Sequence, residues 1–488
     1  MENKELNIMN IKRQMGRFYP AINWLTEAEA KRANKERDRL LESISGKVNY
    51  SFLRNKIYFG KLSPGCSICA QGAWSCMFIN GLCTAHCFFC PQDRKIIKER
   101  NPFAEEITFD NPEDYVSYLE KFNFKGVAFS GGETLLVFDK LESFIKKIRG
   151  RFGRKFYLWI YTNGDLADKN KLNKLRDAGL DEVRFNISAR NYDLHCVKLA
   201  VNIIKRVTIE IPAIPQDYEK VKRCLKKMQD IGVAHLNIHQ LQAYKYNYEN
   251  FIDRNYTFLH QPGLGIFESE MTALRILKYV LDKKMSLPVN YCSREYKNKF
   301  HSKNARQRIA FLSKESFEEV TKSGYIRSLS IQDSPENIRK SLKILQDNRT
   351  CRHLWSLNDT RTELFIHGSS LKYLNSAGHN LKVRYFEPQL KASADSNVAD
   401  REMMLGSKKK LFIKKKIRLE CEISSAIGIT SFQKLFIDNI SEQEVLRYFY
   451  RNYGLKREED LNSMKSEINL LMALKTCEKL GPGFSEIY

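Results

Sequence analysis

Six of the chain's twelve cysteines (Cys66, Cys69, Cys76, Cys83, Cys87 and Cys90) fall within one stretch of 25 residues, where even spacing would place fewer than one. Thiols crowded in this way either pair as disulfides or hold metal, and each fate demands a different fold. The opening Met-Glu-Asn-Lys-Glu-Leu has no basic region followed by an apolar core, so it does not read as a secretory signal. A disulfide framework is therefore not expected, and the thiols read as metal ligands in a cytoplasmic protein. Cys196, Cys224, Cys292, Cys351, Cys421 and Cys477 are isolated and read as small buried hydrophobes.

Two metal readings compete. Cys66-x2-Cys69 followed by Cys87-x2-Cys90 satisfies a zinc-ribbon spacing. On a chain of net charge +24 such a ribbon would be a nucleic-acid binder. Alternatively, Cys83-x3-Cys87-x2-Cys90 is one unit, whose three thiolates wrap a face of a four-iron cluster and leave the fourth iron without a protein ligand. The following chain favours the second reading, because a ribbon needs only short hairpins and here a long strand–helix series follows.

Strands are expected at 77–82, 125–130, 156–161, 182–188, 206–212, 235–239 and, more weakly, 286–291. Helices are expected between them at 112–122, 138–149, 166–178, 217–231 and 267–284. Such alternation implies parallel pairing with right-handed crossovers, and six or seven units suit a partial (β/α) barrel. In a barrel of this kind the chemistry gathers at the C-terminal strand ends. The sequence places Cys83, Cys87 and Cys90 after the first strand, Ser130-Gly131-Gly132-Glu133 after the second and Thr162-Asn163-Gly164 after the third. Asn186 and Ser188, Glu210, His239-Gln240 and Asn290-Tyr291-Cys292 end the other four.

These residues resemble the radical S-adenosylmethionine (SAM) superfamily over about residues 60–300. Cys83-x3-Cys87-x2-Cys90 matches its cluster motif, with Phe89 before the last cysteine. The resemblance implies a [4Fe–4S] cluster on the three thiolates and SAM chelated at the free iron. It also implies an oxygen-sensitive enzyme that makes a 5′-deoxyadenosyl radical, with electrons from a donor such as flavodoxin or ferredoxin. Gly131-Gly132-Glu133 looks like the segment that meets the methionine amino group, and Ser188 and Glu210 fall where ribose contacts are common. The segment from Gly65-Cys66 to Gly81 resembles a branch related to pyruvate formate-lyase activating enzymes, which also carries a segment like Tyr291-Cys292-Ser293. Cys66, Cys69 and Cys292, with Cys76 or Cys351, are candidate ligands of a second metal site or iron–sulfur cluster.

With 488 residues, 43% hydrophobic and 28% charged, the chain has room for two to four domains of roughly 100–200 residues and is not expected to be disordered. No run approaches ~18 apolar residues, so no transmembrane helix and no membrane partner are expected. The domains expected are a helical extension at 1–60, the barrel at 61–315, a β-hairpin extension and linker at 316–400, and a C-terminal winged-helix-like α+β domain at 401–488. In the third, Glu363–Ile366 and Lys382–Phe386 read as a hairpin. In the fourth, strands at Lys410–Lys414 and Ile417–Cys421 precede helices near 431–436, 441–453 and 458–480, which resembles the PqqD-like element that binds leader peptides. Eight Lys or Arg against two Glu between Arg401 and Glu420 suit an acidic peptide or RNA. A peptide or protein substrate is the first expectation, and RNA or a small molecule the alternative.

Overall fold

The computed structural model describes residues 2–51, 53–92, 102–105, 107–244, 246–260, 264–374, 380–391, 401–406, 409–424 and 426–441, and beyond these 443–445, 447–448, 471 and 474–480. It divides into two compact units. One comprises Met1–Ser302 with Leu405–Lys409 and Pro482–Tyr488, and the other Lys303–Met404 with Lys410–Gly481. No helix among the described residues is long and apolar enough to cross a membrane.

Seven parallel strands form the centre of the first unit: β1 (Trp74–Asn80), β2 (Gly126–Gly131), β3 (Tyr157–Thr162), β4 (Glu182–Phe185), β5 (Arg206–Pro212), β6 (His235–His239) and β7 (Val289–Cys292). They pair in chain order, as an unbroken series of right-handed crossovers requires. Short antiparallel strands flank both ends of the sheet, so it is an open, partial barrel of α/β class. Apolar runs such as Val127-Ala128-Phe129 have no exposed face, consistent with strands covered on both sides. The crossover helices begin where local chemistry satisfies their first amides. Asn111 and Asp168 accept from Asp114 N and Lys171 N, and Gly179, at φ +102°, ends the helix Lys169–Ala178.

Several elements differ from the sequence reading. The fourth strand stops at Phe185, and Ile187–Arg190 turns away as a 3₁₀ segment, which places Asn186 and Ser188 beyond the strand. The N-terminal sixty residues are helical over Glu2–Met15 and Glu27–Ile44, but Asn49–Ser51 and Lys56–Phe59 form a strand pair that joins the sheet antiparallel to β7. Residues Glu27–Ile44 pack as a helix on Phe267–Asp282, with Arg37 buried against Glu270.

The second unit is built on a seven-stranded sheet. Glu363–Ile366 and Leu381–Lys391 are not a hairpin. Both pair antiparallel with Ile326–Gln332, which lies between them. The two strands expected near 410 and 417 are one, Lys409–Ile423, paired along Leu381–Lys391 in the same sheet. The strands expected of a separate winged-helix-like domain are therefore part of this unit. Helix Ala426–Phe432 and a π-helical turn Gln433–Ile437 follow, and cover the sheet through Phe432 and Leu435. Ser441 and Glu444 form a capping box, while most of the helices expected at 441–453 and 458–480 lies outside the described residues.

Candidate active site

The C-terminal strand ends face one cavity of about 300 Å³. Its wall includes Cys83, Cys87, Phe89 and Cys90 from the loop after β1, Gly131–Glu133 after β2, Thr162 and Asn163 at β3, Asn186 after β4, Glu210 of β5, and His239 and Gln240 at β6. All twelve cysteines are free, and Cys87 and Cys90 are half-buried while Cys83 is exposed. The loop is fixed largely through its backbone carbonyls and Phe88, while Cys83 Sγ accepts from Ala85 N at 3.4 Å and lies 3.9 Å from Asn163 Nδ2. Asn247 and Asn250 donate to the Cys90 and Phe88 carbonyls at 3.1 and 3.0 Å. Phe88 stacks edge-on against Phe251 and lies 3.6 Å from the Arg254 guanidinium. Asn163 reaches across from β3 to donate to Thr84 Oγ1 at 2.9 Å.

The two glycines at the end of β2, Gly131 and Gly132, exist for this loop. Gly132 N and Glu133 N donate to the Asn80 and Leu82 carbonyls at 2.8 and 2.6 Å, and a Cβ on either glycine would overlap one of these same oxygens. Gly131 also sits at φ +117°. The turn therefore approaches the cysteine loop itself. Gly132→Ala is expected to cost about 3 kcal/mol, read as a lower denaturant midpoint, and to weaken SAM binding by displacing the loop.

Glu133 is only 1% exposed, and protein donors already engage it. Its carboxylate accepts from Leu135 N (3.0 Å), Thr162 Oγ1 (2.7 Å) and Asn163 N (2.8 Å), so it braces β2 to β3 as well as bordering the cavity. Burial pushes its carboxyl above the usual value.

Glu210 belongs to a polar network inside the barrel. Arg184 donates to Glu182 and Glu210, both at 3.0 Å, and Asn237 donates to Glu210 at 2.9 Å. Burial alone would raise Glu210, but Arg184, His239 and Asn237 together hold it below the usual value. His239 is pushed down to about 3 by burial and then by Lys297, leaving a neutral imidazole at the cavity wall. Ser188 does not reach the cavity. It donates to Asn186 Oδ1 at 2.6 Å, and Asn186 and Ala189 line the wall instead.

The other cysteines lie deeper. Cys66 and Cys69 sit one turn apart on a short helix, Pro64–Ala70, capped by Ser63. This helix touches Arg184 and Glu182 of β4 through Gly65, and Asn237 of β6 and Asn290 of β7 through Cys66. A helix can meet strands this far apart only from the concave side, so it fills the N-terminal half of the barrel. Cys292 ends β7, and Cys69 Sγ lies 2.8 Å from His301 Nε2. Cys76 lies on β1, its thiol pushed up to about 12 by burial and then Glu105, and Cys351 falls in the second unit. Among the described residues, no three His, Cys, Asp or Glu side chains are gathered as a closed metal cage, so ligation by either cysteine group requires side-chain rotation.

Lys297, Arg184 and His301 are absent from the sequence-level candidates, and Asn163 appears there only within the turn after the third strand. Asn163 carried a signal, its position at a strand end. Lys297 and His301 begin and end a π-helical turn, Lys297–His301, whose widened pitch has no sequence signature.

An α/β partial barrel with three free thiols on one wall and polar strand ends opposite offers a soft donor set for an iron–sulfur cluster beside a site suited to a zwitterionic nucleoside. Residues 77–253 match the family described as the Radical SAM superfamily, so this part of the chain is a radical SAM domain, the domain of an enzyme. The cofactors of the family are a [4Fe–4S] cluster and SAM. A Methanocaldococcus jannaschii protein whose name proposes a glycyl-radical enzyme activating enzyme is 27% identical over 301 residues, covering 59% of this chain and 79% of that protein. Among solved structures, Streptococcus suis SuiB bound to S-adenosylmethionine is 12% identical, covering 46% of this chain and 50% of that chain at a TM-score of 0.32. The chain thus spans half the length of SuiB. Escherichia coli coproporphyrinogen III oxidase (HemN), described as a radical SAM enzyme, is 11% identical, covering 86% of this chain and 88% of that chain at a TM-score of 0.29. Scores this low carry no argument about architecture.

Proposed function

We propose that Cys83, Cys87 and Cys90 hold the [4Fe–4S] cluster, that Gly131–Glu133, Phe89 and Glu210 border bound SAM, and that the enzyme abstracts hydrogen from a peptide or protein. The observation that supports the site is the convergence of the three thiols and the Gly131–Glu133 turn on one cavity. When bound, the cluster and SAM supply a 5′-deoxyadenosyl radical. The chain's own residues position the loop through Asn163, Asn247 and Asn250, brace the turn through Glu133, and present a neutral imidazole and a charged carboxylate at the wall. The substrate class rests on the M. jannaschii relative, since a glycyl-radical enzyme activating enzyme acts on a protein. A cytoplasmic location and a flavodoxin or ferredoxin as electron donor accord with oxygen-sensitive chemistry.

RNA is the second reading, favoured by Lys414, Lys416 and Arg418, which are exposed on Lys409–Ile423 and make no ion pair among the described residues. Deuterium transfer separates the two. Anaerobic enzyme with SAM, a reductant and a deuterated cellular protein fraction is expected to yield deuterated 5′-deoxyadenosine. Label arriving only from deuterated RNA would replace the protein reading with the RNA one. Formation of 5′-deoxyadenosine without label from either would remove both substrate readings while leaving the cofactor site intact.

A further inference from the structure

Two cations beside the cavity have no role in the site described so far. Lys297 and Arg294, three residues apart in the helical segment after β7, share one face. Lys297 borders the cavity with Gln240, Gln242 and Tyr244, which follow β6. Arg294 stands 6.0 Å from the Tyr244 ring, and its N–H donates to Gln240 Oε1 at 2.9 Å. Neither side chain makes an ion pair among the described residues, and Arg294 Nε is buried with no hydrogen-bond partner there. Glu133 and Glu210, carboxylates of the same wall, are already engaged, the first by Thr162 and Asn163 and the second by Arg184 and Asn237. This margin of the cavity therefore presents positive charge without an anion at contact distance.

Two further features point to a ligand and to its kind. Lys297 opens the π-helical turn Lys297–His301, an irregularity that recurs at functional sites. One end of the Gln242 amide contacts Tyr244 Oη, while Oε1 at the other end is buried without a partner. A free amide end is matched by a peptide group, which the backbone of RNA lacks. A carboxylate in turn is what a guanidinium and an ammonium bind most directly by charge-assisted hydrogen bonds.

We propose that Lys297, supported by Arg294, binds a carboxylate of the peptide substrate, with Gln242 taking the adjoining peptide group. The inference rests on the peptide reading above and narrows it to substrates that present an acidic side chain or a free C-terminus near the reacting hydrogen. The residues assigned to SAM come from the β1 loop, the β2 turn and β5, whereas the two cations follow β7, so this carboxylate is distinct from that of the methionine.

Dissociation constants test it without turnover. The probes are short glycine peptides blocked at the N-terminus. One carries a central glutamate and an amidated end, one a central glutamine and an amidated end, and one ends in a free carboxylate. Each is titrated into the anaerobic, cluster-loaded full chain with SAM and no reductant. At least one charged peptide is expected to bind about tenfold tighter than the neutral one, as a hydrogen-bonded ion provides, and which one names the source of the carboxylate. Lys297→Met is expected to abolish that preference and Lys297→Arg to keep it. Equal binding of charged and neutral peptides by the native chain would overturn the inference, and this comparison stands even where a variant fails to fold. A preference that survives in Lys297→Met would do the same, as would a short oligonucleotide that displaces the charged peptides. A fall in SAM affinity in Lys297→Met as large as the fall in peptide affinity would hand Lys297 to the methionine carboxylate. A chain that binds SAM but shows no preference rejects this inference alone, leaving the cofactor site and the deuterium-transfer result in place.

Discussion

Cys87→Ala is expected to leave a folded chain that binds no iron–sulfur cluster and forms no 5′-deoxyadenosine above the level without enzyme. The fold survives because the loop is anchored by its backbone and by Phe88, through Asn247, Asn250, Phe251 and Arg254. The cofactor does not survive, because two thiols cannot replace three on one face of a cluster. Iron and sulfide content after anaerobic reconstitution, with the denaturation midpoint alongside, separates these effects. Cys351→Ala, at an exposed cysteine in the second unit, is the matched control and should change neither. A full cluster on the Cys87 variant would remove the assignment of this loop.

Arg184→Met is expected to be among the most destabilising single substitutions in the barrel, at about 3–5 kcal/mol near neutral pH. Arg184 is 3% exposed and pairs with Glu182, itself fully buried, and with Glu210. It also donates to Ser63 Oγ at 3.0 Å, at the start of the helix that carries Cys66 and Cys69. Without it, two carboxylates remain inside the barrel with only neutral donors such as Thr208, Tyr157 and Asn237. The loss depends on pH in a definite direction. In the native protein Glu210 is held below its usual value, so its contribution is present above the ordinary carboxylate pKa of about 4.3 and is lost as pH falls through the folded pKa. In the variant, burial would raise Glu210, which favours folding with the group protonated. The deficit between variant and native protein should therefore begin to shrink as pH falls towards the ordinary carboxylate value of about 4.3, where the variant's raised group takes up its proton, and go on shrinking below it as the native group does the same; urea midpoints measured from pH 7 to pH 3.5 follow it. A deficit independent of pH would mean that packing, rather than charge, is what Arg184 provides.

The strands and crossover helices of the barrel were legible because each carries a local pattern, and Arg206–Pro212 and His235–His239 have the expected limits. The cavity wall was legible because a parallel sheet brings its strand ends together wherever the side chains point. The inner half of the barrel was not. Glu182, Arg184, Thr208, Asn237 and Asn290 are polar residues in buried strand positions, and only three-dimensional pairing satisfies them. Ile326–Gln332 was missed for the same reason. Its Arg327 is 5% exposed and becomes tolerable through Glu319 and Glu478, and Ser328 and Ser330 are buried as well, so its polar residues do not mark a solvent face. Once that strand is inserted, the two strands read as a hairpin become second neighbours.

Pro64–Ala70 packs inside the barrel, where Cys66 meets Asn237 and Asn290, and so narrows it away from the cysteine loop. With that route narrowed, bound SAM and the products of its cleavage would share the opening beside the cysteine loop. Turnover would then be a queue, in which a lingering product stands in the way of the next molecule.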